Sequence, residues 1–249
     1  RRGLFKDSPS GRKVDEQIDS PLIVGTPRRI SVLDEVAVPK ISLYGYRSFD
    51  RQYVTEDSRF IDRPGPLWAI RGDQQLYLTT LTSTTLGEGP VLTATPYVPD
   101  LDHFRGSYGA KNTFPMWRDA EASDPNLGPV ILERLGAVLG DGVGPEELVK
   151  YLYGLGGTRA FGDRFRDELA MAAGPVRLPV TKDRDIFERV VALGEELLAW
   201  HTWAERFASE PLERGPARET SPITGRPDGF SYDPVAQTLR VGNGTIQPV

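Results

Sequence analysis

The chain contains no cysteine, so it can form neither a disulfide framework nor a thiolate-held zinc site, and a reducing, cytoplasmic compartment is the expected setting. Its two histidines, His103 and His201, stand 98 residues apart and do not make the close pair that a histidine metal centre uses. No run of about 18 apolar residues occurs, so no membrane-spanning helix is expected, and no basic, apolar and small-residue leader opens the sequence. Catalytic signatures are missing as well. There is no G-x-S-x-G pentapeptide to form a nucleophile elbow, and Gly106-Ser107-Tyr108-Gly109 lacks its spacing. Without any Gly-Lys pair there is no phosphate-cradling P-loop. The glycine clusters at 140–144 and 154–157 follow expected helices rather than a strand, which makes them helix terminators and not cofactor loops. No catalytic, cofactor-binding or metal-binding residue is therefore nominated.

What is present is the balance of a globular protein. With 39% hydrophobic and 26% charged residues among 249, the chain has enough apolar material for one large or two small domains. The formal charge of -5 rules out a uniformly cationic nucleic-acid coat but leaves room for a local basic groove. That charge is unevenly divided: residues 1–75 hold 13 Lys/Arg against 11 Asp/Glu, and residues 76–249 hold 17 against 24. The sequence starts at Arg1 without Met and stops at Gln247-Pro248-Val249 inside an expected strand, and so reads as part of a longer polypeptide.

Four stretches can be distinguished. Residues 1–35 are polar and punctuated, as in Lys6-Asp7-Ser8-Pro9-Ser10-Gly11, and read as an arm or linker from an upstream region. Residues 36–120 are rich in Val, Thr, Tyr, Leu and Ile broken by Pro and Gly, with strands expected at 40–46, 52–55, 67–70, 75–83 and 91–96. The loose alternation of Leu76-Tyr77-Leu78-Thr79-Thr80 predicts a strand buried on both faces. Residues 121–229 carry helical spacing. One helix is expected to start at Asp124-Pro125 and end at Gly140, a second to run from Pro145 to Gly156-Gly157, and a third to hold Phe161, Phe165, Leu169 and Ala172. The fourth and longest, 184–207, would span about 35 Å. Residues 230–249 are expected to form a hairpin around Gly242-Asn243-Gly244, in which Asn-Gly supplies positive φ, and to return to the early sheet. The resulting expectation is an α+β fold: a strand-rich half and a helical half of about four helices, with that hairpin.

The most distinctive segment is Tyr46-Arg47-Ser48-Phe49-Asp50-Arg51, continued by Arg59 and Arg63. Four arginines within 17 residues, interleaved with Tyr, Phe, Ser and Gln, supply the donors that phosphates and base edges take. The competing reading is a structural lattice in which Asp50, Asp57 and Asp62 pair with these arginines. A second polar stretch, with Arg105, Lys111 and Asn112, either enters a groove or serves as a surface connector. Thr79, Thr80, Thr82, Ser83, Thr84 and Thr85 either line a DNA-facing sheet end or are simply good strand residues. His201, beside Trp200 and Trp203 on the long helix, reads as a packed core residue.

Taken in order, Tyr46-Arg47-Ser48-Phe49-Asp50-Arg51, Asp62-Arg63-Pro64, Phe114-Pro115-Met116-Trp117, Tyr151-Leu152-Tyr153 through Phe165 to Arg177-Leu178-Pro179, the helix 187–201, and Val241-Gly242-Asn243-Gly244 with Pro248-Val249 carry a family likeness. From about residue 36 to 249 the chain resembles the C-terminal specificity domain of type ISP restriction-modification enzymes. It departs from the family at Ser48, where Pro is usual, at Met116-Trp117, where Leu-Tyr is usual, and at Gly156-Gly157-Thr158-Arg159-Ala160, where N-S-P-x-Y is usual.

The resemblance implies a sequence-specific DNA target recognition module of a bacterial restriction-modification or phage-defence system. It implies double-stranded DNA as one partner. The other is an upstream DNA adenine methyltransferase domain of the same chain, which flips an adenine and uses S-adenosylmethionine. That domain carries an N-P-P-Y type tetrapeptide, and no Pro-Pro pair occurs here, so this part is expected to be non-catalytic and free of cofactor. The expected DNA-facing residues are Tyr46, Arg47, Ser48, Arg51, Arg59, Arg63, Arg105, Lys111 and Asn112. The alternative is a protein docking or scaffold domain within such a complex. On the first reading, charge reversal at Arg47 and Arg51 together should abolish sequence-selective binding in a duplex-binding assay while leaving the thermal midpoint nearly unchanged.

Overall fold

A computed structural model describes residues 40–56, 66–82, 85–104, 112–140, 142–171, 175–207, 217–224 and 228–248. The chain divides into two compact units, Arg1–Ala208 and Ser209–Val249. In the larger, β1 (Ile41–Arg47) and β2 (Asp50–Thr55) form an antiparallel hairpin, followed by one 3₁₀ turn at Pro66–Ile70. A three-stranded antiparallel sheet has β3 (Tyr77–Thr80) at its centre, between β4 (Thr93–Thr95) and β5 (Asn112–Pro115). Helices α1 (Pro129–Leu139), α2 (Pro145–Gly156), α3 (Arg159–Arg164), α4 (Arg166–Met171) and α5 (Arg184–His201) follow. The α+β class is as expected.

β3 is buried along its whole length, as its mixed pattern predicts. Leu76 and Leu78 cluster with Val149 and Tyr153 of α2 and with Leu198 of α5. Tyr77 instead joins Trp68 and Val98 in a cluster against which Tyr44 and Val54 of the hairpin pack. Complete burial also places Thr79 and Thr80 inside, so these two do not line a DNA-facing edge. Their hydroxyls are used internally: Thr79 Oγ1 lies 2.9 Å from His103 Nδ1, and Thr80 Oγ1 donates to the Val91 carbonyl at 2.7 Å. Gln75, almost fully buried, takes both ends of its amide to the Trp117 backbone, donating to the carbonyl at 2.9 Å and accepting from the N–H at 3.0 Å.

Several elements differ from expectation for local reasons. The segment 67–70 is a 3₁₀ turn, begun at Pro66 and closed by burial of Trp68 against Tyr44, with rings 6.0 Å apart and nearly parallel. The first helix starts at Pro129, not Pro125, because Pro125 bridges to Trp117 and the Asp124 carbonyl accepts from Arg118 N at 2.8 Å. The third expected helix is two short ones, interrupted at Phe165 (φ -112°, ψ 29°); its residue Ala172 lies outside the described residues. The long helix ends at His201. Beyond it Trp203 and Ala204 take φ of 55° and 62°, which no helix continues.

The helices are held by close backbone approach. A Cβ placed on Gly194 of α5 would lie 1.8 Å from the Lys150 carbonyl oxygen of α2, and one on Gly154 would lie 2.4 Å from the Val190 carbonyl. Only glycine at both positions lets the two helices cross at this distance. Tyr151 of α2 then stacks on Phe187 of α5 at 4.7 Å, beside Leu139 of α1.

The smaller unit is a four-stranded antiparallel sheet in the order β6 (Arg218–Ser221), β9 (Gly244–Gln247), β8 (Thr238–Val241), β7 (Phe230–Asp233). The C-terminal hairpin is its inner pair, and its ladder partners are β6 and β7 rather than the strands of 41–115. The two-residue loop is Gly242-Asn243, with positive φ on Gly242 (55°), the first central position, and not on Asn243 as Asn-Gly turn chemistry suggests.

The crossing makes a sharp contrast among glycines. Gly194→Ala forces a methyl group into backbone and should lower unfolding free energy by at least about 2 kcal/mol in denaturant titration. Gly136→Ala, in α1 with nothing within 4 Å of the new methyl, should raise it by about 0.5–1 kcal/mol.

Candidate functional site

The turn between β1 and β2 is built from Ser48 and Phe49, the latter at φ 62°, with a bulge between Gly45 and Arg47 that shifts the register. Gly45 permits close approach to the sheet layer: its N–H donates to the Val98 carbonyl at 3.0 Å, and its carbonyl accepts from Asp100 N at 2.8 Å. A Cβ there would meet Thr95 Oγ1 at 2.9 Å and His103 Cδ2 at 3.3 Å.

Each turn residue is fastened to something distant in sequence. Arg47 Nη1 donates to Asp100 Oδ1 at 2.8 Å and to its neighbour's carbonyl, Tyr46 O, at 2.6 Å, and its guanidinium carbon lies 4.0 Å from the Tyr46 ring centre. Asp100 is itself held, since Oδ2 accepts from Tyr44 OH at 3.0 Å. Ser48 Oγ donates to the His103 carbonyl at 2.8 Å. Phe49 packs edge-on against His201 at 4.5 Å, and His201 Nδ1 is 2.7 Å from Tyr153 OH. Burial holds the His201 pKa below its ordinary value, which agrees with the packed role expected for it.

Arg51 has the fullest set of partners. Nη1 donates to Tyr97 OH at 3.0 Å and forms an ion pair with Glu205, and the guanidinium carbon lies 4.6 Å from the Trp203 ring centre. Burial alone would lower its pKa, but Tyr97 and Glu205 carry it above the ordinary guanidinium value. Tyr97 also donates to Glu205, and its phenol is pushed up to about 12, first by burial and then by that bond. The segment after α5 is anchored by Arg206, whose Nε donates to the Gln75 carbonyl at 2.9 Å and Nη2 to the Gly72 carbonyl at 3.2 Å.

Tyr46, Arg47, Ser48 and Arg51 therefore form one constellation on the hairpin. Asn112 opens β5 opposite Thr80, and among the described residues no hydrogen bond or ion pair joins its side chain to the turn. Arg59, Arg63, Arg105 and Lys111 lie outside the described residues. Asp57 and Asp62 also lie outside the described residues, and among those described the acidic partners of Arg47 and Arg51 are not Asp50 but Asp100 and Glu205, separated from them by 53 and 154 positions. No local pattern could have named these two, nor Tyr97 and Trp203. Because Arg47 is paired with Asp100 and Arg51 with Glu205, reversing the charge of the two arginines would oppose carboxylate to carboxylate. The expectation of unchanged stability does not survive, and neutral substitutions are the ones that separate binding from folding.

Behind the turn lies a buried polar core. Thr79 Oγ1 bridges His103 Nδ1 and Thr93 Oγ1, the latter at 2.8 Å, while His103 Nε2 is the one buried side-chain nitrogen or oxygen without a hydrogen-bond partner among the described residues. Burial lowers the His103 pKa to about 4, with Asp100 acting in the opposite sense and Arg47 in the same one. The imidazole is thus neutral in the folded protein at ordinary pH. Among the described residues no helix is long and apolar enough to cross a membrane.

The family model of the type ISP C-terminal specificity domain matches residues 24–249. Among solved structures, the DrdV–DNA complex determined by electron cryomicroscopy aligns with a TM-score of 0.58 at 17% identity, covering 83% of this chain and 21% of that one. LlaBIII, an ATP-dependent type ISP restriction-modification enzyme bound to DNA, aligns with a TM-score of 0.53 at 17% identity, covering 85% of this chain and 14% of that one. The likeness is one of fold, and the chain spans only that fraction of each enzyme's length. No curated relative matches it by sequence.

The buried imidazole makes stability depend on pH. The folded state resists protonation that the unfolded state accepts near pH 6.5, so the contribution of His103 is complete above pH 6.5 and is lost as pH falls towards about 4. The unfolding free energy of wild type relative to His103→Asn should fall across that window by at most about 1.4 kcal/mol per pH unit, about 3 kcal/mol in all. Parallel curves for the two proteins would show that His103 does not titrate as described.

Proposed function

The chain belongs to the family of type ISP C-terminal specificity domains, and from that membership we propose that it is a target recognition module reading a short, asymmetric site in duplex DNA. The observation that carries the reading is the turn of the first hairpin, which sets Arg47 and Arg51 beside aromatic rings with about a third of each side chain still exposed. Ser48 and Tyr46 complete that surface. In this proposal Arg59, Arg63, Arg105 and Lys111 act as phosphate contacts that position the duplex, and Asn112 is a further DNA contact. The DNA-bound state of two proteins of similar fold supports this assignment.

Chemistry on the DNA belongs, in this proposal, to an upstream methyltransferase domain of the same polypeptide. It would act on an adenine with S-adenosylmethionine, as part of a cytoplasmic restriction-modification or phage-defence system in bacteria. A second reading, docking within such an enzyme, is favoured by α1, whose Val130, Ile131 and Val138 are about half exposed. The natural occupant of that face is the upstream domain itself, so the two readings overlap on the helical side and part company at the hairpin.

Salt separates them. A module that neutralises as few as two phosphates should lose roughly ten-fold in duplex affinity between about 50 and about 200 mM salt, and more contacts steepen the loss. Fluorescence anisotropy with a duplex pool measures this directly. Absence of duplex binding at low salt would leave the docking reading in possession.

A further inference from the structure

Both turn arginines share an unusual feature. Each guanidinium is restrained three ways, by an aromatic ring, a carboxylate and a neutral oxygen, yet every hydrogen bond it makes to the described residues runs through Nη1. For Arg47 the restraints are Tyr46, Asp100 and the Tyr46 carbonyl; for Arg51 they are Trp203, Glu205 and Tyr97. Among the described residues nothing accepts a hydrogen bond from Nε or Nη2 of either. Those two nitrogens lie on one edge of the planar group and point their N–H bonds the same way, a preformed two-donor fork.

Two acceptor pairs of nucleic acid fit such a fork: two oxygens of a phosphate, or O6 and N7 of a guanine in the major groove. The carboxylates discriminate between them. The affinity gained from a phosphate contact comes from a net positive charge displacing counterions. Arg47 with Asp100, and Arg51 with Glu205, are each neutral as a pair, and each would set a carboxylate close to an incoming phosphate. A guanine edge is uncharged. It requires two aligned donors and no net charge, and it gains from a guanidinium whose position is settled before binding, since little side-chain entropy remains to be lost.

We propose that Arg47 and Arg51 each present the Nε–Nη2 edge to a guanine of the target site, and that Asp100 and Glu205 are the positioning residues that aim them. This deepens the DNA-reading assignment above and rests on it. It adds a base identity and two acidic residues, on the loop after β4 and the segment after α5, to a readout that would otherwise be ascribed to the hairpin alone. Glu205 also ties the aim of Arg51 to the helical half, because it sits four positions beyond the end of α5.

The test begins with selection of bound duplexes from a randomised pool by the wild-type protein, followed by binding measurements on the selected site. Guanine should dominate at least two positions. Replacing either guanine with 7-deazaguanine, which removes only the N7 acceptor, should weaken wild-type binding measurably, and this needs no protein variant. Arg51→Gln should lose about ten- to a hundred-fold of guanine preference at one position while leaving the others unchanged, and Arg47→Gln should do the same at a different position. Once 7-deazaguanine occupies the matching position, the corresponding arginine substitution should cost little more. Glu205→Gln gives the signature of positioning. It should blunt guanine preference at the Arg51 position and, by releasing the guanidinium charge, steepen the dependence of log affinity on log salt by about one.

A selected site without guanine, or 7-deazaguanine that binds as well as guanine, overturns the proposal. So does a uniform weakening of all duplexes by the glutamine variants, which is the behaviour of phosphate contacts, with thermal melting confirming that the variants are folded. In those cases DNA reading itself stands. If the wild-type protein selects no sequence at all, the functional assignment falls and this inference falls with it.

Discussion

The crossing of α2 over α5 is the constraint on which the remaining geometry depends. Gly154 and Gly194 bring the two backbones into direct contact, with no room for a methyl group on either side. Packing at that distance leaves little freedom of rotation or sliding, so the C-terminal end of α5 is delivered to one place. There His201 meets Tyr153 of α2 on one side and Phe49 of the hairpin turn on the other. A few residues on, Trp203 and Glu205 close over Arg51, and Arg206 ties the segment to the start of the central sheet. A contact made wholly of backbone thus determines where a surface arginine points.

The central sheet does the same work from beneath. β3 is covered on both faces, and its two sets of side chains divide the labour: Leu76 and Leu78 serve the helical core, while Tyr77 and Thr79 serve the layer under the hairpin. The Thr79, Thr93 and His103 cluster is costly to bury, and its hydrogen bonds offset that cost only while the imidazole stays neutral. Ser48 bonds the carbonyl of that same His103, so the turn is anchored on the buried polar cluster. Polar satisfaction inside and directional presentation outside are coupled through one residue.

Much of this was legible in the sequence. β1, β2 and α2 fall where their patterns place them, since apolar periodicity and proline or glycine caps are local signals. The arginine and aromatic segment stood out by composition, and the family resemblance followed from motifs in order. What misled were signals that tertiary contacts overrode. Asp124-Pro125 has the chemistry of a helix start, but its backbone was claimed by Trp117 and Arg118. The threonines of β3 look like candidates for an exposed edge, yet layers on both sides bury them. The C-terminal hairpin formed as its glycines suggest, but hairpin chemistry carries no information about which strands will flank it.

The sequence by itself determined the class of fold, the family, the cluster of arginines and aromatics in 46–63, and the absence of any elbow, P-loop or thiolate site in this chain. Only the tertiary structure decided that Arg47 and Arg51 are held by Asp100 and Glu205, through one nitrogen each, with Nε and Nη2 unbonded among the described residues. The reason is physical. Periodicity and capping act over a few residues, whereas an ion pair spanning 53 or 154 positions exists only after helices and sheet have packed and brought its partners within reach.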